Sequence, residues 1–173
     1  MSGAIRYLCV ARLAGAERVF LWEGEDPGPA RVVVDDGGFV LCFSSVAAAV
    51  EVGKANGWNI SSEEPSTYDI DGIDQWCRSD TGVRDCRELL NTWNLLVDLP
   101  GGENLFRAAD ARALGLYEKL FGGCNLPSMT TLGEHYEPMW TAAETASLKH
   151  LMLLGLEELR ARFRALASAP KER

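Results

Sequence analysis

The chain has 173 residues, 47% of them hydrophobic and 24% charged, with a formal net charge of −8. Length and composition exclude a disordered or fibrous chain and suit a single domain, 1–173, with a sizeable core. The acidity disfavours non-specific attachment to nucleic acid or to an anionic membrane, both polyanions, and no apolar run reaches the roughly 20 residues that span a bilayer.

The first third reads as strands. IRYLCVARL, residues 5–13, is the first, and Val19–Glu23 reads back as its hairpin partner after a turn at Gly15. Arg6 ahead of Tyr7–Ala11 resembles the start of a secretory signal, but the apolar run is too short and Arg12 interrupts it. Gly24–Pro29, GEDPGP, cannot hold regular structure. Arg31–Asp35 and Phe39–Phe43 flank the turn signal Asp36-Gly37-Gly38 and read as a third and a fourth strand. Short links between four consecutive strands favour an antiparallel meander. Ser44 or Ser45 then caps a short helix ending near Asn56-Gly57.

Past Ile60 the pattern changes from strands to helices. Ser61–Thr67 is a polar connector, and helical periodicity follows near 71–78, 85–99, 108–121 and 142–167. The expected fold is α+β: a small N-terminal antiparallel meander (1–60, with one helix) packed on a helical remainder (61–173). Asp85 and Glu88 have capping-box spacing, as do Thr141 and Glu144. In the helix after Asp85, Leu89, Leu90, Trp93, Leu96 and Val97 share an apolar face, and Asn91, Asn94 and Asp98 share a polar one. Trp93, Leu90 and Val97 are expected to be buried against the long last helix. Gly122-Gly123 reads as a helix stop. The connection 122–140 is long enough to suggest a function, and it carries His135, Tyr136, Met139 and Trp140.

The candidate chemistry is sparse. Asp69, Asp71 and Asp74 first suggest a calcium loop, but Asp74 and Asp80 stand where glycine and glutamate are needed. The simpler role for Asp69 or Asp71 is to cap the following helix, leaving the acidic cluster as a surface for binding. Cys77, Cys86, Cys124 and His135 lack the paired spacing of a zinc site. The five cysteines form no disulfide framework, which fits a reducing cytoplasm. His135, between Glu134 and Tyr136, is a better acid–base candidate than His150, beside Leu151 on the last helix. Phosphate-loop, dinucleotide, nucleophile-elbow and zinc-protease motifs do not occur.

Three stretches carry a resemblance. They are Tyr68-Asp69-Ile70-Asp71, then Asp85-Cys86 with Leu89-Leu90-Asn91-Thr92-Trp93-Asn94 and Asp98, then Tyr117–Pro127, YEKLFGGCNLP. Together, over roughly residues 68–160, they resemble small bacterial immunity-type proteins of toxin neighbourhoods. The resemblance implies a cytoplasmic inhibitor that binds a cognate toxin and needs no cofactor, metal or catalytic residue. On this reading the partner is a toxin or another basic protein, met through Asp69, Asp71, Asp74, His135 and Tyr136. Nucleic acid and membrane are not expected, and self-association stays open. The alternative is a small enzyme or ligand-binding protein that uses the 122–140 loop through His135.

Overall fold

The computed structural model describes residues 4–24, 28–107, 110–126 and 136–163. Its first elements are β1 (Ile5–Leu13), β2 (Ala16–Gly24) and β3 (Arg31–Val32), followed by α1 (Val46–Ala55), β4 (Asn59–Ile60) and β5 (Ser66–Asp69). Helices α2 (Ile70–Cys77), α3 (Cys86–Val97), α4 (Gly102–Arg107), α5 (Asp110–Asn125) and α6 (Ala142–Arg162) complete the chain, so the fold is α+β. Among the described residues, no helix is long and apolar enough to cross a membrane.

β1, β2 and β3 form the expected antiparallel meander, but the sheet is mixed and does not end there. β4 and β5 both pair parallel to β1, in the order β3-β2-β1-β4 with β5 also on β1. The expectation that no strand follows Ile60 therefore fails at β5. STYD has one large apolar residue, Tyr68, and pairs at an edge, so its strand state comes from β1 and not from local alternation. The expected fourth strand, 39–43, is reduced to single bridges, Val34–Val40 and Val19–Phe43. Its hydrogen bonds are divided: Leu41 N–H donates to Val33 O, whereas Val40 N–H donates to Arg162 O at the end of α6.

β1 and β2 alternate between two apolar environments. Leu8, Val19 and Leu21 pack with Phe43 and with Ala49 of α1. Cys9, Ala11, Leu13 and Phe20 face the opposite way, into a larger cluster shared with α2, α3, α5 and α6. The sheet thus has α1 on one face and the helical layer on the other, which is why residues 8–11 read as an unbroken apolar run. At its far end Glu23 is buried between Arg6 and Arg31, and the Arg6 guanidinium lies 4.8 Å from the Trp58 ring centroid.

The helix ends follow their capping residues. Ser45 caps α1, Asp69 caps α2 and Asp85 caps α3 through its Oδ1. Thr141 and Glu144 form a complete capping box, and Glu144 also accepts from Lys119 at 2.7 Å, tying α6 to α5. Asp85 makes only half a box, because Glu88 turns to Arg84 at 3.0 Å. Gly122-Gly123 does not stop α5. The helix runs through to Asn125, and Gly123 serves packing: a Cβ there would lie 2.9 Å from Cys86 Sγ and 3.0 Å from Pro138 Cδ.

Leu90 and Trp93 are buried and Val97 is half-buried. The Trp93 ring meets Tyr117 of α5 at 6.0 Å, and the close approach of α3 to α6 falls one turn later, at Leu96 and Gly155. A Cβ on Gly155 would lie 2.6 Å from Leu96 Cδ1 and 3.3 Å from its Cβ. Alanine is the better helix former by about 1 kcal/mol, yet Gly155→Ala is expected to destabilise by about 1–3 kcal/mol through overpacking. In urea titrations, adding Leu96→Ala should make the Gly155→Ala change far less costly. Trp93→Ala should cost roughly 3–5 kcal/mol in the same assay, and an unchanged unfolding midpoint would contradict its place in the core.

Candidate functional site

Two grooves of the described surface lie around the start of α3. One groove of about 440 Å³ is lined by Arg84, Cys86, Arg87, Cys124, Tyr136 and Trp140 among others. A second, of about 310 Å³, lies between β5 and α3, lined by Thr67, Tyr68, Asp69, Asp85, Arg87, Glu88, Asn91 and Thr92. Asp85 and Arg87 belong to both, so the two grooves meet at the α3 N-cap.

The five sequence candidates scatter around this cleft and away from it. Asp69 lines the smaller groove while capping α2 through Gly72 N–H at 3.1 Å. Asp71 faces the β1–β2 turn, where its two oxygens accept from Ala14 and Gly15 N–H, each at 2.8 Å. That turn holds Ala14 at φ 54°, a conformation an alanine rarely adopts, so the carboxylate secures a strained turn. Asp74 is bound by two guanidiniums, Arg78 and Arg160, at 3.1 Å each. Hydrogen bonding from Arg78, with help from Arg160, holds its carboxyl below the usual range. Tyr136 lines the larger groove and is 39% exposed. His135 lies outside the described residues. The three aspartates thus have separate partners, and Asp71 and Asp74 are occupied by contacts within the fold.

The Asn91, Asn94 and Asp98 edge is divided as well. Asn91 is exposed in the smaller groove. Asp98 is the C-cap of α3 at the far end of the helix, where its carbonyl accepts from Val32 N–H at 3.0 Å. Burial pushes the Asp98 carboxyl up to about 6. The nearby Trp22 indole N–H opposes the shift, although it is buried without an acceptor in good hydrogen-bond geometry.

Cys86 and Cys124 line the larger groove, and burial raises both thiols above their ordinary value. The nearby Trp140 indole opposes the shift at Cys86, and Lys119 sits 5.1 Å over the Trp140 ring. Thiols kept protonated in this way are poor nucleophiles. Among the described residues, no group of three or more metal-ligating side chains gathers, and His150 is exposed on α6. What the region offers is contact surface. The last turn of α5 and the segment after it expose Phe121 (49%), Leu126 (52%), Tyr136 and Met139 (88%). Tyr136 N–H donates to Leu126 O at 3.0 Å, so the two ends of the loop are held together. Phe121 and Leu126 were not singled out in the sequence, because helical spacing alone does not say which apolar side chains a fold leaves uncovered.

No protein-family model, no curated protein and no solved structure matches this chain.

The Asp98 shift has a testable sign. A carboxyl whose folded pKa lies above its ordinary value of 3.8 holds its proton longer in the folded state. Its contribution is most favourable below pH about 4, falls as pH rises to about 6, and is level above that. Asp98→Asn should therefore raise the melting temperature at pH 7, and the gain should shrink between pH 6 and pH 4. A gain independent of pH would refute the assignment.

Proposed function

We propose that this protein is a binding inhibitor of the immunity type, which neutralises a cognate bacterial toxin in the cytoplasm by direct contact and without chemistry of its own. The observation that carries this reading is the exposure of Phe121, Leu126, Tyr136 and Met139, with Tyr136 lining the cleft and hydrogen-bonded through its N–H to Leu126 O. Large apolar and aromatic side chains grouped at a surface mark interaction sites and supply the anchors of protein interfaces. The net charge of −8 favours a basic partner. Five free cysteines suit a reducing compartment.

A second reading, a small ligand or substrate in the larger groove, draws on the groove's size and its Cys86 and Trp140 lining. Co-expression with the toxin encoded beside its gene separates the two. Under the inhibitor reading the wild-type chain restores growth, and His135→Ala protects as well as wild type. Tyr136→Ala with Met139→Ala should weaken the purified complex by about tenfold or more, and association should slow from low to high salt. Loss of protection in a normally folded His135→Ala chain, with the Tyr136/Met139 variant unaffected, would replace the inhibitor by the ligand site.

A further inference from the structure

β5 is an edge strand whose only ladder among the described residues is with β1. Its residues Thr67, Tyr68 and Asp69 form one wall of the smaller groove, the first half of α3 forms the other, and no residue of β1 lines it. β5 thus has one side with no ladder among the described residues, and the groove runs between β5 and α3. An open edge beside a groove is the geometry of strand addition, in which an extended segment adds its main chain to the sheet and alternate side chains enter the groove.

We propose that this groove receives an extended, lysine- or arginine-bearing segment of the partner protein, added as a further strand on β5. The inference rests on the inhibitor reading above and names the surface and the chemistry it uses. Three carboxylates, Asp69, Asp85 and Glu88, line the groove against one guanidinium, Arg87, while Arg84 pairs with Glu88 at 3.0 Å. Both capping aspartates use Oδ1 for their helices. The Asp69 Oδ2 lies against Gly72 with Arg84 Nη1 nearby, whereas the Asp85 Oδ2 makes no hydrogen bond among the described residues. A carboxylate accepts at both oxygens, so Asp85 can hold its helix and a cation together. Burial raises the Glu88 carboxyl, Arg84 opposes this, and the negative Asp69 and Asp85 add to it; an entering cation relieves that crowding. The exposed Asn91 supplies an amide donor and acceptor on the α3 wall. A second copy of this chain suits the groove less, because a two-fold pairing sets one acidic groove beside another.

The test titrates an alternating lysine–valine decapeptide into the isotope-labelled full chain at low salt. Expected are chemical-shift changes centred on residues 66–69, Glu88 and Asn91, together with slowed exchange of the strand amides. Methylating alternate main-chain nitrogens of the peptide should abolish binding in one register and spare it in the other. Replacing its lysines by glutamates should abolish binding. Glu88→Gln should weaken it about fivefold, and Val52→Ala, exposed on α1, should leave it unchanged. Equal binding by both methylated registers, shifts centred away from β5, or no saturable change at ~1 mM peptide overturns the proposal. The co-expression assay keeps this apart from the inhibitor reading. If wild type protects and a folded Glu88→Gln/Asn91→Ala chain protects equally, strand addition falls and the inhibitor stands. If the peptide binds as described but the wild-type chain gives no protection, the inhibitor falls and the groove stands.

Discussion

The β1–β2 ribbon has to be covered on both faces, and the rest of the fold follows from that. Leu8, Val19 and Leu21 on one side and Cys9, Ala11 and Phe20 on the other are all nearly inaccessible to water. One amphipathic layer cannot satisfy both. The short α1, with Ala49 and Gly53 as its buried residues, lies close against one face. The larger helices close the other, where Phe20 meets Phe163 edge-on at 5.5 Å and Tyr68 at 6.1 Å. Burial on both faces also gives β1 its second neighbour, because a central strand leaves no row of backbone groups unpaired. β4 and β5 supply part of that pairing in parallel register after the crossover through α1.

The acidic residues have a part in holding this arrangement. Asp69, Asp85 and Thr141 with Glu144 set the starts of three helices. Asp71 closes the turn between the two longest strands, and Asp74 joins α2 to α6 through Arg160. Glu23 is buried and paired with two arginines, since a carboxylate without partners at such a depth is costly. Much of the acidity that composition assigns to the surface is therefore neutralised or hydrogen-bonded within the fold. Exposed carboxylates such as Glu51, Glu63, Glu64, Asp80 and Glu157 stay at the surface, and the groove beside α3 gathers Asp69, Asp85 and Glu88.

Two of the five residues singled out for binding, Asp69 and Tyr136, line the cleft. Tyr136 was legible because an aromatic in a long loop needs either a core or a partner. Asp69 was legible as a cap, and its place in a groove came from β5. Asp71 and Asp74 were indistinguishable from it in sequence, since a run of aspartates before a helix does not show which one meets a distant turn or an arginine 86 positions later. Exposed apolar residues such as Phe121 and Leu126 gave no local signal either.

By itself, the sequence determined the α+β class, the antiparallel start of the sheet, the helix starts at Asp85 and Thr141, those at Ser44 or Ser45 and at Asp69 or Asp71, and the burial of Leu90 and Trp93. These depend on periodicity and on hydrogen bonds between residues two to four apart, which are present in any local stretch. Tertiary structure alone decided the strand state of β5, the parallel pairings on β1, the passage of α5 through Gly122-Gly123 and the meeting of two grooves at Asp85. Each depends on a neighbour far along the chain: β1 for Ser66–Asp69, and Cys86 and Pro138 for Gly123. A backbone pairing or a close approach of that kind is settled by which surfaces are brought together, and no window of sequence contains both sides of it.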